Sequence, residues 1–150
     1  MIKFFFVIVV LSFLSNCSYE PVLTKKNYNF SFEKINSIGE TSINKLIKEK
    51  FSVNHQYENK YDLFFETKRI REIIAVDKKG DPTIFSLKID LKYKIIKNGT
   101  EVLSNKLEKK VTYDNIDDKF ELSKKEEDII VYLSESLSDE ILRSTLAIDK

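Results

Sequence analysis

The chain contains a single cysteine, Cys17, and a single histidine, His55, so few side chains are suited to nucleophilic or metal chemistry. A cysteine can form a disulfide, act as a catalytic thiol or carry a lipid. A disulfide within the chain needs a second cysteine, and the sequence has none. A catalytic thiol needs a base, and His55 lies in the polar stretch VNHQYEN. Attachment of a lipid is the third possibility, and the residues around Cys17 favour it.

The residues before Cys17 have the pattern of a secretory signal peptide. Lys3 precedes an uninterrupted apolar run from Phe4 to Leu11, and small or polar residues follow it. The run is too short to cross a bilayer as a helix, which takes roughly twenty residues. A buried N-terminal helix or strand is the alternative, but three consecutive phenylalanines would need a large core. The sequence therefore predicts that residues 1–16 are a signal peptide.

The four residues Leu14-Ser15-Asn16-Cys17 resemble the bacterial lipobox, in which a leucine three positions before the cysteine guides acylation and cleavage. This resemblance implies that Cys17 carries the lipid and begins the mature chain. Residues 17–27 are then a lipidated tether, and residues 28–150 form a single domain. Gly and Pro are scarce, and neither a linker nor an internal repeat is visible in the sequence.

Composition and motifs argue against several classes of function. The charges nearly cancel, with 25 Lys and Arg against 24 Asp and Glu, and this balance indicates no nucleic-acid partner. The sequence has no HExxH, no GxSxG and no glycine-rich phosphate loop. It also lacks a cluster of His, Cys and Asp. We therefore expect no enzyme activity, no cofactor and no metal.

Hydrophobic periodicity predicts three elements in the first half of the domain. Alternation from Tyr28 to Glu33 predicts a strand, and apolar residues spaced by three or four from Thr41 to Phe51 predict a helix. The segment from Tyr61 to Val76 is rich in aromatic and β-branched residues and is typical of a long strand. Its alternation slips near Lys68 to Arg71, which predicts a bulge or a twist there. The composition of Asp77 to Pro82 predicts a turn.

Three further elements follow in the second half. Unbroken alternation from Phe85 to Ile95 predicts a strand of an antiparallel sheet with one covered face and one wet face. Asn98-Gly99 predicts a tight hairpin, after which the strand returns towards Tyr113. Ser123 and Glu126 match a capping box at the start of a final helix. The predicted fold class is α+β, a two-layer sandwich of order β-α-β-β-β-α with a four-stranded, mostly antiparallel sheet and both helices on one face.

This order of elements behind CSYEP resembles the lipopolysaccharide-assembly lipoprotein family, LptE. Tyr113-Asp114-Asn115 and the terminal EEDIIVYLSESLSDEILRSTL also carry the resemblance. The family implies a lipoprotein of the outer membrane, anchored through Cys17 and facing the periplasm. It implies a role in plugging an LptD-like β-barrel that inserts lipopolysaccharide into the outer leaflet. An auxiliary lipoprotein subunit of an inner-membrane lipid ABC transporter is the alternative.

Two sets of lysines are candidate site residues. The resemblance implies lipopolysaccharide binding near the central strand turn and near the start of the final helix. The matching residues are Lys78, Lys79, Lys124 and Lys125. A second set points to the wet face of the sheet, where it could meet the polar interior of a barrel: Lys88, Lys92 and Lys106. Lysines on such a face can equally be solvated without any partner.

Overall fold

The computed structural model describes residues 29–52, 57 and 59–149, and it confirms the predicted order of elements. Cys17, Tyr28 and His55 lie outside these residues. The elements are β1 (Phe30–Gly39), α1 (Thr41–Phe51), β2 (Asn59–Val76), β3 (Pro82–Lys97), β4 (Thr100–Asp114) and α2 (Lys119–Ile148).

The four strands form one sheet in the order β1-β2-β3-β4. Strand β1 runs parallel to β2, and the two are joined through α1. The pairs β2–β3 and β3–β4 are antiparallel, so three of the four strands form a meander. The Asn98-Gly99 hairpin is as predicted, because both residues have the positive φ values, 53° and 79°, that a tight turn requires.

The hydrophobic core lies between the sheet and the two helices, which pack on the same face. The predicted inward residues of β3, from Phe85 to Ile95, are all buried. Ile43 and Ile47 of α1 are buried against them, and α2 contributes the buried series Ile130, Leu133, Leu137 and Ile141. Each such side chain adds about 2 kcal/mol of hydrophobic stabilisation.

The junction between β1 and α1 depends on a close approach of two backbones. Gly39 has φ 105°, and a Cβ at this position would lie 1.9 Å from the carbonyl oxygen of Thr67. The Thr67 hydroxyl accepts a hydrogen bond from the Glu40 N–H at 3.2 Å and donates one to Asn44 Oδ1 at 2.7 Å. Glycine is therefore required here, and Thr67 ties β2 to the start of α1.

The bulge, one of the two alternatives predicted near Lys68 to Arg71, is absent, since the β2–β3 register is continuous through those residues. The β2–β3 register shifts instead on both sides of Ala75, and the β1–β2 register shifts after Phe32. The apparent slip arises because Arg69 and Arg71 lie on the covered side of the sheet. There Arg69 approaches Glu40 at 4.0 Å, and Arg71 bonds to α2.

The predicted start of the last helix is also wrong. Helix α2 begins at Lys119, one turn before Ser123, and Asp118 is its N-cap. The Asp118 carboxylate accepts hydrogen bonds from the backbone N–H groups of Phe120, at 2.8 Å, and Glu121, at 3.2 Å. Aspartate satisfies these free donors as well as serine does. Glu126 is thereby left for contacts with the sheet.

Candidate functional site

Two surfaces carry the predicted site residues. The first is the open face, by which we mean the side of the sheet opposite the helices. The second is the hairpin end, which comprises the β2–β3 turn, the adjoining strand ends and the first two turns of α2. Cys17 lies outside the described residues.

Lys88, Lys92 and Lys106 all lie on the open face, as the alternation of β3 and β4 predicted. Lys88 is ion-paired with Asp90 and with Glu108, at 3.5 Å each. These carboxylates raise the pKa of Lys88, although desolvation, the largest single effect, opposes them. Lys92 approaches Glu66 of β2 at 3.6 Å. Lys106 is exposed, and among the described residues no carboxylate lies within ion-pair distance of it.

The open face also has an apolar centre, which the sequence did not predict. Ile38 of β1 is 63% exposed and Phe64 of β2 is 41% exposed. They line a shallow depression of about 330 Å³ whose rim includes Lys92, Lys94, Lys106 and Glu66. An apolar floor with a rim of mixed charge can bind a polar segment that also carries apolar groups. The doubled Phe64-Phe65 was the available signal, because one of two adjacent strand residues must face away from the core.

The predicted lysine pairs lie at one end of the domain. The backbone N–H of Asn115 donates to the carbonyl of Thr83 at 2.8 Å, and its side-chain amide donates to the carbonyl of Pro82 at 2.8 Å. These bonds fix the end of β4, and with it the start of α2, beside the β2–β3 turn. Lys78 and Lys79 are exposed in that turn. Lys124 and Lys125 lie in the second turn of α2 rather than ahead of the helix.

The turn that presents Lys78 and Lys79 is held by Asp77. One carboxylate oxygen of Asp77 accepts hydrogen bonds from the backbone N–H groups of Lys79, at 2.8 Å, and Asp81, at 2.9 Å. Gly80 supplies the positive φ of 92° that closes the turn. The backbone of the turn is therefore fixed by its hydrogen bonds to Asp77, and the side chains of Lys78 and Lys79 extend from it.

Apolar side chains are exposed beside these cations. Ile73, Ile74 and Val76 of β2 are each more than half exposed, and Phe120 of α2 is 77% exposed. The sequence predicted a long strand here, but not which of its side chains are exposed. A surface that combines exposed apolar groups with lysines is suited to an anionic amphiphile.

At the hairpin end, a polar network attaches the sheet to α2. Glu126 accepts a hydrogen bond from the Tyr113 hydroxyl at 2.6 Å and from Arg71 Nε at 2.9 Å. The Arg71 guanidinium lies 3.7 Å from the centre of the Phe85 ring, a cation–π contact. Burial and then the bond to Glu126 raise the pKa of Tyr113 to about 12. The network joins three strands to one helix.

The opposite end of the domain holds the start of β1 and the end of α2. The Tyr61 hydroxyl donates to Asp149 at 2.9 Å, and Lys97 Nζ donates to Asn59 at 3.2 Å. Burial, followed by the bond to Asp149, raises the pKa of Tyr61. Strand β2 has 18 residues, so at about 3.3 Å per residue the two ends of the domain are roughly 55 Å apart.

Within the described part of the chain, no helix is both long enough and apolar enough to cross a membrane. Across the same residues, no three His, Cys, Asp or Glu side chains are grouped so that they could hold a metal ion.

Comparison with known proteins identifies the fold. No protein-family model matches the sequence, and no curated protein is significantly similar to it. Solved structures do match. Rare lipoprotein B from Shewanella oneidensis is 16% identical with a TM-score of 0.59, over 77% of this chain and 96% of that one. A protein from Caulobacter crescentus that is described as a lipoprotein is 18% identical with a TM-score of 0.57, over 77% of this chain and 92% of that one.

Lipoprotein B from Nitrosomonas europaea is a third match, 16% identical with a TM-score of 0.56, over 83% of this chain and 90% of that one. At such identities the likeness establishes a shared fold. All three proteins with this fold are described as lipoproteins.

Proposed function

We propose that this chain is an outer-membrane lipoprotein, anchored through Cys17, that plugs and assists an LptD-like β-barrel in inserting lipopolysaccharide. One observation carries the proposal: a domain with the fold of bacterial lipoproteins follows the lipobox-like LSNC after a short tether. The domain acts as a scaffold and a binding surface, with no catalytic step. The lipid on Cys17 holds it at the inner leaflet of the outer membrane, facing the periplasm.

The dimensions of the domain suit a plug. The chain enters the domain at Phe30, at the end opposite the hairpin end. These ends are roughly 55 Å apart, whereas a bilayer with its headgroups is about 40–45 Å thick. A domain anchored near Phe30 and standing inside a barrel therefore places its hairpin end near the opposite side of the membrane.

The open face supplies the contact with the barrel. The interior of a large barrel is polar, and a surface of interlaced lysines and carboxylates is suited to contact with it. Ile38 and Phe64 add a small apolar centre, where the closest packing occurs. Lys88, Lys92 and Lys106 are the contact residues in this proposal.

Site-specific photocrosslinking tests this contact. A crosslinking amino acid at Lys88, Lys92 or Lys106 is expected to trap one large outer-membrane protein. The same group at Lys45, an exposed lysine on α1, is the matched control and is expected to trap less of it. Recovery of inner-membrane ABC transporter subunits alone would favour the alternative lipoprotein role and contradict the plug.

The hairpin end supplies the contact with lipopolysaccharide. Lys78, Lys79, Lys124 and Lys125 offer charge-assisted hydrogen bonds to lipid phosphates. The exposed side chains of Ile73, Ile74, Val76 and Phe120 lie at the same end, where acyl chains can contact them. The double substitution Lys79→Asp/Lys124→Asp is expected to weaken binding of phosphorylated lipopolysaccharide at low salt, with unchanged circular dichroism. The control Lys45→Asp/Lys48→Asp makes the same change of charge on α1, and equal binding by both variants would refute the assignment.

A further inference from the structure

Strand β4 forms one edge of the sheet, and no other described strand pairs with its outer side. It is 15 residues long. In an antiparallel ladder, about half the residues of an edge strand direct their N–H and C=O groups away from the sheet. A long edge of this kind pairs with another strand unless its side chains prevent it. The charges on β4 therefore determine what it can pair with.

Within the chain, those charges are poorly matched. The β3–β4 register places like charges directly opposite each other at three successive open-face positions, which are Lys88–Lys110, Asp90–Glu108 and Lys92–Lys106. Opposed like charges weaken a strand pair. Among the described residues, two ion pairs nevertheless join β4 to β3: Glu108 to Lys88 at 3.5 Å and Glu101 to Lys94 at 2.8 Å. Among the described residues, no carboxylate lies within ion-pair distance of Lys106 or Lys110.

Two of these charges, Lys106 and Glu108, match those of a second β4 strand. When two β4 strands pair antiparallel about Leu107, Lys106 of each copy lies opposite Glu108 of the other. Leu107 is the midpoint of Thr100–Asp114, so in this register the strands pair along their whole length. On the helix side, two partly buried residues, Leu103 and Val111, come to lie opposite each other.

We propose that two copies of this chain associate through their β4 edges, antiparallel about Leu107, into one continuous eight-stranded sheet. Two observations carry the proposal: β3 places Lys92, a like charge, opposite Lys106, which has no carboxylate partner among the described residues, and Lys106 and Glu108 are arranged symmetrically about the strand midpoint. The helices of both copies lie on the same face of the joined sheet. The proposal is independent of the barrel and concerns the chain when that partner is absent.

Charge substitutions test the register. In Lys106→Glu the two central pairs become Glu–Glu, and in Glu108→Lys they become Lys–Lys. Each single variant is expected to raise the dimer Kd by roughly tenfold or more in low salt. An equimolar mixture of the two is expected to form heterodimers of wild-type affinity, because every central pair is then of opposite charge. Lys68→Glu changes the charge on the same face of the interior strand β2 and is expected to leave the Kd unchanged.

Sedimentation velocity on the full chain in detergent micelles measures these constants. A wild-type chain that is monomeric at about 1 mM protein would overturn the proposal, since the lysines of β4 would then only protect the edge. Dimers that are indifferent to both single substitutions, or single variants whose mixture does not recover affinity, would also overturn it.

A cysteine at the predicted twofold centre gives a second readout. Directly opposed residues in an antiparallel pair have Cα atoms about 4.5–5.5 Å apart, within the range that a disulfide spans. In a Cys17→Ser background, Leu107→Cys is expected to form a covalent dimer on mild oxidation. Lys34→Cys, on the other edge strand, is the control and is expected to stay monomeric. Equal dimer yields from both variants would contradict pairing through β4.

Discussion

Removing the Glu126 carboxylate is expected to destabilise the domain without altering its fold. In Glu126→Ala, Tyr113 loses the acceptor of its 2.6 Å hydrogen bond and Arg71 loses its 2.9 Å ion pair. Tyr113 is 5% exposed, so the loss of the carboxylate that accepts from its buried hydroxyl costs about 1–3 kcal/mol. The Arg71 side chain is 41% exposed, and solvent screening limits its loss to less than about 1 kcal/mol. Together these effects are expected to lower the free energy of unfolding by about 1–4 kcal/mol.

Urea unfolding followed by circular dichroism measures this loss. Glu127→Ala removes the neighbouring exposed carboxylate and is the matched control, expected to change the free energy of unfolding by less than about 0.5 kcal/mol. A double-mutant cycle of Glu126→Ala with Tyr113→Phe is expected to show a coupling energy of about 1–2 kcal/mol. Equal effects of Glu126→Ala and Glu127→Ala, or a coupling energy near zero, would refute the network as a source of stability.

Three further predictions follow from single sites. Because the pKa of Tyr113 is raised from 10.0 to about 12, its contribution to stability is complete below pH 10 and is lost as the pH rises towards 12. Between pH 9 and pH 12, the free energy of unfolding of Tyr113→Phe, measured by urea titration, is therefore expected to fall by roughly 2 kcal/mol less than that of the wild type. Equal decreases in the two proteins would contradict this. Gly39→Ala places a Cβ against the Thr67 carbonyl and is expected to lower the free energy of unfolding by at least about 3 kcal/mol, as measured by thermal unfolding. Gly80 has open space around it, so Gly80→Ala is expected to lower it by only about 1–2 kcal/mol. Cys17→Ser is expected to abolish metabolic labelling with a fatty-acid analogue, and label retained by the variant would place the lipid elsewhere.

The elements predicted most accurately are those whose pattern is local and complete. Every inward position of β3 from Phe85 to Ile95 is apolar, and the period of two defines both the strand and its covered face. The bounds of α1 were also predicted, since Ile43, Ile47 and Phe51 share one face and are buried together. Local periodicity is sufficient where one side of an element faces the core along its whole length.

The errors occur where distant contacts replace a local pattern. Ser123 and Glu126 have the spacing of a capping box, but Glu126 bonds instead to Arg71 of β2 and Tyr113 of β4. Those partners are brought near only by the folded sheet, so no window of sequence around Glu126 reveals them. Arg71 caused an error of the same kind. It is a polar residue on the covered face of β2, and in the sequence it interrupts the hydrophobic alternation as a bulge would.

The candidate surfaces were predicted only in part. Alternation placed Lys88, Lys92 and Lys106 on one face, and chain order placed the two lysine pairs at one end. The exposed apolar groups, Phe64 on the open face and Phe120 at the hairpin end, were not predicted. Their residue types are the same as those of the core, and exposure depends on what the fold leaves uncovered.

Affinity purification from separated membranes tests the proposed function most directly. The full chain, carrying a small C-terminal tag, is isolated in mild detergent from inner-membrane and outer-membrane fractions, and the proteins bound to it are identified by mass spectrometry. The proposal predicts that the chain fractionates with the outer membrane and brings with it, in near-equal amount, one large β-barrel protein. A chain found in the inner membrane with ABC transporter subunits, or in the outer membrane with no barrel partner, would contradict it.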